Sequence, residues 1–460
     1  MQGIPHAESR FMKARFAAIA RAGLLLSAVA LIPATTAGLA AVDGHAGQAF
    51  GRLFTIYQLI KADYVDNTDD DKLVTGAING MLASLDPHSS YLEGASLQRL
   101  DTMIDGSYAG LGLSVAMDDG GVKVISPMRG SPAEKAGIKA GDFITHLDGK
   151  LIYGVDLDDA VAQMRGAAGT SIRLTLYRPG RSDPFDVSVT RGVITLEPVT
   201  SELHGTIGEI AVNEFSHDVG RDVFAAIQSL QKQVNGHLTG IVLDLRENPG
   251  GALDEAVALS DLFLTQGTIV SQRGRLPSEN ATYRAETVFV GDAARGLPLI
   301  VLIDAGSASA SEIVAGALQD QHRALIMGER SFGKGSVQSM IRLDKDHAVK
   351  LTTARYFTPS GRSVQEGGIQ PDIHVPQLTD PDARKRAEDA IRESDLKGHL
   401  VNDASLNDKD LEDDKTADPR FKMTPDELKA KGIKDFQMWY AEQTLTRAAG
   451  TPTVPTVARR

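Results

Sequence analysis

At 460 residues the chain is too long for a single hydrophobic core, and this length predicts about three domains. Its composition, 42% hydrophobic and 23% charged, is typical of globular proteins, and the formal charge of −12 argues against a nucleic-acid partner, because phosphate binding requires a basic surface. The absence of cysteine excludes disulfides, thiolate metal sites and a cysteine nucleophile.

The N-terminus has the three parts of a secretory signal. Four basic residues precede an apolar stretch at residues 22–32, and small residues follow at 34–41. We therefore expect residues 1–41 to be a signal peptide cleaved near Ala40, and the protein to reach the periplasm or cell envelope. Retention of this segment as a membrane anchor stays open.

Residues 50–100 form a predicted N-terminal helical region. Apolar residues recur at helical spacing on both sides of the acidic turn at 66–71, namely at Leu53, Ile56, Leu59, Ile60, Leu73, Ile78, Met81 and Leu82. The sequence LDPHSSYL at 85–92 then ends the helical pattern, because proline cannot continue a helix.

Residues 104–191 predict a small, mostly β domain. Short β-type runs are separated by glycine-bearing turns, and two short helical patterns interrupt them. The predicted strands are 111–117, 122–125, 143–147, 171–177 and 185–190, and the predicted helices are 132–136 and 157–164.

Strands and helices alternate through residues 194–376. Continuous apolar strands indicate a sheet that is covered on both faces, so this region predicts an α/β domain. The predicted strands are 207–215, 240–245, 298–303 and 324–327, the helices are 221–234, 253–264 and 311–319, and a hairpin joins 336–343 to 348–357.

Residues 377–460 are polar and charged, most strongly at 403–418. Weak helical patterns occur at 381–396 and 426–445, and residues 451–460 have the composition of a frayed end. We expect a charged C-terminal appendage to which the sequence assigns no role.

Residues 303–314, IDAGSASASEIV, contain a candidate nucleophile. A buried strand runs through small residues into a helix, which presents a side chain at the carboxyl edge of the sheet. The unpaired N–H groups of the first helical turn can bind an oxyanion there. Serines are equally ordinary as helix N-caps, so this segment alone leaves both interpretations open.

Residues 331–338, SFGKGSVQ, contain a candidate base. Lys334 lies between two glycines and follows Phe332, and desolvation would lower the pKa of such a lysine toward the range of a general base. Ser–Lys pairs are a known form of nucleophile and base. Taken alone, the segment fits a surface loop as well.

The sequence DLRENPGG at 244–251 ends a predicted strand in a Pro-Gly-Gly turn, which can direct a backbone N–H into a site at the sheet edge. An ordinary strand-to-helix turn would look the same. The histidines are scattered and lack metal-ligand spacing, so neither a metal nor another cofactor is expected.

Together these segments resemble the carboxy-terminal processing (tail-specific) serine peptidases. The resemblance covers residues 50–376 and includes LDPHSSYL at 85–92 and RYFTPSGRSVQEGGIQPDI at 355–373. It implies an α+β multidomain protein, with an α/β peptidase core of the crotonase/ClpP-like sandwich type, an inserted domain and N-terminal helices.

By this resemblance Ser309 is the nucleophile and Lys334 the general base, and Gln338 orients the lysine. The resemblance also implies an oxyanion hole made of backbone N–H groups of Ala310 and of one of two glycines, Gly250 or Gly251. By the same resemblance Asp320 matches a position regarded as functionally important in some members, but we interpret it as structural, and Asp304 stands where many relatives carry asparagine.

The β-rich region resembles a PDZ domain. YAGLGLSV at 108–115 is similar to a carboxylate-binding loop and its following strand, and SPAEKAGIKAGD at 131–142 is similar to a PDZ helix and turn. The resemblance implies binding of substrate C-termini at Gly110, Leu111, Gly112 and Leu113. It also places Arg165 where an arginine couples ligand binding to the catalytic pair. A β domain that serves only as a spacer is the alternative.

These inferences predict an exported serine endopeptidase that acts on proteins near an apolar C-terminus. The main alternative is a non-catalytic PDZ scaffold or adaptor on a peptidase fold, while acyl-CoA chemistry has only the fold class in its favour. We also expect self-association through the helices at 50–82. The substrates, the oligomer size and any adaptor protein are not specified by the sequence.

Overall fold

The computed structural model divides the chain into two compact units, Met1–Leu85 with Ser89–Leu92 and Met340–Leu351, and Asp86–His88 with Glu93–Ser339 and Thr352–Arg460. The predicted signal segment 1–41 lies outside the described residues. No helix among the described residues is both long enough and apolar enough to span a bilayer. The structure describes residues 44–94, 96–97, 107–118, 121–127, 131–139, 141–153, 155, 157–181, 183–195, 198–286, 291–379, 392–402 and 421–450.

The first unit contains the predicted N-terminal helices. Helix α1 spans Gly44–Asp63 and helix α2 spans Asp70–Ala83, with Asp69 accepting a hydrogen bond from Lys72 N as the N-cap of α2. Both helices expose large apolar side chains, at Phe50, Leu53, Phe54, Ile56, Leu59, Val74 and Met81. These helices therefore present an apolar surface to solvent.

Residues 107–195 form a separate β-rich module within the second unit. Its strands are β2 Ser107–Gly110, β3 Leu113–Asp118, β4 Gly121–Pro127, β5 Phe143–Leu147, β6 Lys150–Leu151, β7 Ser171–Tyr177, β8 Phe185–Thr190 and β9 Gly192–Thr195. Its helices are α3 Pro132–Lys135 and α4 Leu157–Met164. The order β3-β4-β5-β7-β8 places β3 at one end of the sheet, and β2 pairs separately with β9.

The sheet of this module packs on its own buried core, which includes Val122, Ile144, Ile172 and Leu174. Buried and exposed residues alternate along β7, as expected of a strand with one face on the core. The predicted strands at 143–147, 171–177 and 185–190 and the predicted helix at 157–164 are confirmed residue for residue.

The largest domain is built on a six-stranded sheet in the order β10-β11-β12-β15-β16-β19. The pair β10–β11 is antiparallel and the remaining pairs are parallel. The strands are β10 Val199–His204, β11 Ile207–Val212, β12 Gly240–Asp244, β15 Leu299–Ile303, β16 Leu325–Gly328 and β19 Ile373–His374, and helices α5 Val219–Gln233, α6 Leu253–Phe263 and α7 Ala310–Asp320 connect them. The predicted α/β architecture is confirmed.

The two faces of this sheet bury alternate residues of the same strands. Ile241 and Leu243 pack into the core that contains α5, α6 and α7, whereas Val242 packs into a second core on the opposite face. Burial on both faces explains why β12 and β15 read as continuous apolar runs.

The C-terminal residues supply the cover of the second face, which corrects the expectation of an appendage that begins at 377. Helices α8 Pro425–Ala430 and α9 Phe436–Gly450 contribute Leu428, Phe436, Met438, Ala441 and Leu445 to this second core. Arg246 binds Asp244 (2.5 Å) and Asp435 (2.8 Å), which ties the start of α9 to the end of β12. The predicted helix at 426–445 is thus two helices, separated near Gly432 at φ 71°.

A second sheet of five strands contains β13 Thr268–Gly274 and β14 Ala281–Arg284, neither of which the sequence predicted. Its other strands are β1 Ser90–Glu93, β17 Ser336–Arg342 and β18 His347–Phe357. Strands β17 and β18 pair as the predicted hairpin. Of the predicted helix at 381–396, residues 380–391 lie outside the described residues and Glu393–Asp395 form one 3₁₀ turn.

Candidate active site

Three neighbouring parallel strands bring the three motif segments to one edge of the sheet. Strand β15 pairs with β12 on one side and with β16 on the other, in the registers Asp244↔Leu302 and Ile303↔Gly328. The carboxyl ends of the three strands therefore meet, and the segments that follow them lie side by side. Two backbone bonds join these segments, from Ala308 N to Asn248 O (3.0 Å) and from Phe332 N to Ser307 O (3.0 Å).

Of the three serines at the start of α7, Ser309 differs from its neighbours. Ser307 and Ser311 are fully buried, and their hydroxyls donate to Leu245 O (2.7 Å) and Asn248 O (2.9 Å). Those two hydroxyls connect the serine segment to the turn after β12. Ser309 is half-buried and immediately precedes Ala310, the first residue of α7.

Ser309 has a backbone conformation that side-chain-bearing residues rarely adopt, with φ 54° and ψ −109°. Such a residue costs on the order of 1–3 kcal/mol unless its surroundings hold it, and such residues cluster at active sites. The Ser309 N–H donates to Oε2 of Glu312 (2.7 Å), which supports this conformation directly.

The Glu312 carboxylate also binds the loop that carries Lys334. Residues 330–335 are called the lysine loop here. Lys334 N donates to Glu312 Oε2 (3.0 Å), and Gly333 N donates to Oε1 (2.8 Å), as does Ser331 Oγ (2.5 Å). One oxygen thus accepts the backbone N–H groups of both Ser309 and Lys334.

Tyr356 reinforces this connection from β18. Its hydroxyl donates to Lys334 O and lies 3.1 Å from Ser309 O. Its ring is buried, and burial together with the neighbouring Glu312 carboxylate raises the pKa of Tyr356 well above its usual value. The phenol therefore stays protonated, and its one O–H hydrogen lies between the two segments.

Complete burial raises the pKa of Glu312 to about 7, against the opposing effect of the hydrogen bonds that it accepts. The groups that point at its two oxygens are donors, so the ionised carboxylate satisfies them better than the acid does. The sequence analysis missed both Glu312 and Tyr356 as site residues. The serine-to-glutamate spacing of a capping box, Ser309 to Glu312, was the signal for the first.

Close backbone contacts explain the glycines on either side of Lys334. Gly333 has φ 98°, and a Cβ there would lie 2.7 Å from Glu366 O; a Cβ on Gly335 would lie 2.5 Å from Gln365 N. A side chain at either position would therefore displace the chain beside it. Lys334 itself is half-buried.

The Pro-Gly-Gly turn lies against the start of α7. A Cβ on Gly250 would lie 2.9 Å from both Ala310 N and Ser309 Cβ, so only glycine fits this approach. Gly250 N donates to Asn248 Oδ1 (2.9 Å), which uses its hydrogen. Gly250 and Ala310 are thus neighbours, and Gly251 lies against Phe215.

Two further residues that the sequence singled out in this domain, Gln338 and Asp320, form hydrogen bonds with neighbouring residues. Gln338 Nε2 donates to Ser336 Oγ (3.0 Å) and Thr352 Oγ1 (3.3 Å), so its predicted role in orienting Lys334 stays a prediction. Asp320 accepts from Ser360 N (2.9 Å) and holds the turn at 358–362, as expected of a structural residue.

Asp304 holds the turn that precedes the three serines. Its Oδ1 accepts backbone hydrogen bonds from Glu247, Gly306 and Ser307, at 2.9, 2.9 and 3.2 Å. The aspartate is thus compatible with this turn.

In the β-rich module, Gly110, Leu111, Gly112 and Leu113 form the junction between β2 and β3. Gly112 has φ 72°, and a Cβ there would lie 2.4 Å from Ser131 Cβ, so this junction requires glycine. Arg165 follows the last residue of α4 and is half-buried.

One group of side chains among the described residues has the spacing of metal ligands, formed by Glu202, His204 and Glu209. It lies on β10 and β11, and His204 is already bound to Glu209 (2.8 Å) and Glu442 (3.0 Å). These contacts lie at the sheet edge, and none of the motif segments contributes to them.

Comparison with known proteins matches three parts of the chain. The model of Peptidase family S41 matches residues 206–375, a PDZ domain matches 123–178, and the Activating protease CtpB N-terminal domain matches 34–95.

Two curated relatives cover most of the chain. The carboxy-terminal-processing protease of Bartonella bacilliformis is 47% identical over 350 residues, which cover 76% of this chain and 80% of that protein. The carboxy-terminal processing protease CtpA of Bacillus subtilis is 39% identical over 70% of this chain and 68% of its own. A solved structure, the photosystem II D1 C-terminal processing protease, is 30% identical over 77% of this chain and 92% of its own, with a TM-score of 0.45.

We expect Glu312→Gln to lower kcat by about 10²-fold, a loss that a displacement of about 1 Å can produce. The amide keeps one acceptor oxygen, but its NH₂ group would face backbone N–H groups and leave them without acceptors. The free energy of unfolding, measured in urea, should also fall by about 1–3 kcal/mol. The measurement is cleavage of an unfolded protein substrate.

Glu255→Gln is the matched control. Glu255 likewise accepts two backbone N–H groups, from Asp218 (3.0 Å) and Gly220 (3.3 Å), but it contacts neither Ser309 nor Lys334. Equal loss of kcat in both variants would show that Glu312 has no special connection to the site.

Proposed function

The chain belongs to the carboxy-terminal processing proteases of peptidase family S41, and from this premise we propose that it cleaves proteins near an apolar C-terminus with a Ser309–Lys334 pair. As a member of that family it is a serine-type peptidase. The observation that carries the proposal is the shared Glu312 carboxylate, which holds the backbones of both residues next to one another.

In the proposed reaction Ser309 Oγ attacks the scissile carbonyl while Lys334 Nζ accepts the hydroxyl proton. The amine then passes this proton to the leaving nitrogen, and water hydrolyses the acyl-enzyme by the reverse sequence. A neutral lysine is needed for the first step, because only the free amine can accept the hydroxyl proton. Gln338 is proposed to orient the amine once substrate is bound.

The developing oxyanion is proposed to accept hydrogen bonds from Ala310 N and from one glycine of the Pro-Gly-Gly turn. Ala310 is the first residue of α7, where the N–H groups have no partner within the helix. Gly250 N already donates to Asn248, which favours Gly251 as the second donor. The positive end of the helix dipole adds to this stabilisation.

We expect Ser309→Ala and Lys334→Ala each to reduce kcat by about 10³-fold or more. The first variant lacks the nucleophile and the second lacks the base, and alanine can replace neither. The measurement is turnover of an unfolded protein that ends in apolar residues.

Ser229→Ala and Lys345→Ala are the controls, since both side chains are exposed and lie outside the motif segments. Equal turnover by wild type and both catalytic variants would end the peptidase mechanism and favour a non-catalytic PDZ scaffold.

The PDZ-like module is proposed to bind the C-terminus of the substrate. Strand β3 lies at an end of its sheet, where an extended peptide can add as a further strand. The Gly110–Leu113 junction would bind the terminal carboxylate through backbone N–H groups, and apolar pockets would take alternate side chains. This proposal makes the substrate's free carboxylate essential for recognition.

Arg165 is proposed to couple occupancy of this module to the catalytic pair. We expect Arg165→Ala to slow cleavage of a substrate with a free apolar C-terminus and to leave binding of that C-terminal peptide unchanged. As a control, the same substrate with an amidated C-terminus lacks the terminal charge. The wild type and Arg165→Ala should both cleave it slowly. Unchanged cleavage of the free-carboxylate substrate by Arg165→Ala would remove the coupling role.

The basic, apolar and small-residue parts of residues 1–41 support export to the periplasm or cell envelope. The same segment would anchor the protein in the inner membrane if it were retained. N-terminal sequencing of protein from fractionated cells tests this, because recovery of an intact N-terminus in the cytoplasm would contradict export.

Self-association is proposed to use α1 and α2, whose exposed apolar side chains form a surface typical of an interaction site. The test compares the molecular mass in sedimentation of the full-length wild type with that of the double variant Leu53→Glu, Ile56→Glu. An equal mass for the two proteins would contradict the proposal. A partner adaptor protein is a further proposal, and it rests on the family membership.

A further inference from the structure

Three polar or charged residues of the segment 392–402 are buried, although the sequence around it is among the most polar in the chain. Arg392 is 9% exposed, Glu393 0% and Asn402 8%. Residues of these types are rarely buried unless specific partners satisfy them. The partners here belong to the active-site loops, and the segment lies outside the residues 206–375 that match the peptidase family model.

The segment binds three successive carbonyl groups of the lysine loop. Arg392 Nη1 donates to Arg330 O (2.7 Å) and Ser331 O (2.9 Å), and Glu393 N donates to Phe332 O (3.2 Å). Guanidinium donors to buried carbonyls are charge-assisted and stronger than neutral hydrogen bonds. The lysine loop is thus held by the segment 392–402 as well as by Glu312.

A second connection reaches the residue after Lys334. Glu393 Oε1 accepts from Gln365 Nε2 (2.9 Å), and Gln365 Oε1 accepts from Gly335 N (3.0 Å). Asn402 Nδ2 donates to Gln365 O (2.7 Å), so the segment holds both the side chain and the backbone of Gln365. This network fixes one of the two glycines that flank the lysine, positions where the chain has little stiffness of its own.

His88 is the histidine partner of Glu393. Its Nε2 lies 2.8 Å and 3.0 Å from the two carboxylate oxygens, and His88 N donates to Asp86 Oδ1 (2.8 Å). This assigns a partner to the LDPHSSYL motif, for which the sequence analysis offered no role. Burial opposes ionisation of Glu393, but the hydrogen bonds from His88 and Gln365 prevail and lower its pKa.

We propose that Glu393 is a positioning residue of the active site, which holds the base lysine in place through Gln365 and Gly335, with His88 as its hydrogen-bond partner. The proposal rests on the proposed role of Lys334. Without this network the loop would be held through Glu312, Tyr356 and Arg392, while the chain that follows Lys334 would lose the anchor of Gly335 N.

The test compares full-length Glu393→Gln with Glu366→Gln. Glu366 is the matched control because its carboxylate also binds a histidine and the segment 392–402, at His399 Nε2 (2.8 Å) and Asn402 N (2.7 Å), but does not contact Gln365 Nε2 or Gly335 N. We expect Glu393→Gln to lower kcat by about 10- to 100-fold with KM unchanged, and Glu366→Gln to lower it less than about twofold.

Hydrogen exchange at the amides of residues 330–338 supplies a readout that does not depend on catalysis. It should accelerate in Glu393→Gln and stay at the wild-type rate in Glu366→Gln. Equal kcat in the two variants would overturn the proposal, and so would unchanged exchange in Glu393→Gln. If Glu393→Gln does not fold, Glu393→Asp replaces it in the same comparison. The aspartate keeps the charge but has a side chain shorter by one methylene.

Failure of this proposal is distinguishable from failure of the peptidase mechanism. If Ser309→Ala and Lys334→Ala cleaved substrate at the wild-type rate, the mechanism would be contradicted. The hydrogen-exchange experiment would still report on the network in that case. Loss of turnover in those two variants with no effect of Glu393→Gln would contradict the positioning role alone.

Discussion

The Glu312 carboxylate accepts hydrogen bonds from the backbones of both Ser309 and Lys334, and the remaining geometry of the site depends on this shared contact. The two residues follow different strands, so the sheet alone fixes where their segments begin but not where their side chains lie. A rigid, buried acceptor bonded to both segments removes that freedom. The unusual backbone of Ser309 is supported by the same bond.

Burying a carboxylate is costly unless hydrogen-bond donors satisfy it, and this cost explains the composition of the surrounding shell. Glu312 is satisfied by backbone N–H groups and by the hydroxyl of Ser331. Tyr356 then joins the carbonyl side of the same two residues. Such a network is rigid when complete and destabilising when incomplete, which suits a site that must hold atoms in place.

The lysine loop is held from more than one direction. Glu312 and Tyr356 contact it from α7 and β18, and the segment 392–402 contacts it through Arg392 and Glu393. The C-terminal helix α9 likewise completes the second face of the sheet that carries the strands of the site. The C-terminal region is therefore part of the catalytic domain's structure, while the PDZ-like module packs around a core of its own.

Much of this protein was predictable from local sequence, because period-two and continuous apolar patterns report burial of each strand directly. Local patterns placed the strands β5, β7 and β8 and the helix α4 without error, whereas the family resemblance assigned Ser309 and Lys334. Strands β13 and β14 were missed because they have no comparably long apolar run.

The contacts of Glu312, Tyr356 and Glu393 were decided only by the tertiary structure. Each binds groups that are distant in the chain, such as Glu312 with Lys334 or Glu393 with His88, and a charged residue has no periodicity that reveals burial. The polar composition of residues 377–460 predicted an exposed appendage for the same reason. Sequence alone thus indicated most of the elements and a candidate pair of reacting residues, because these depend on local patterns and motifs, and folding decided what holds them in place.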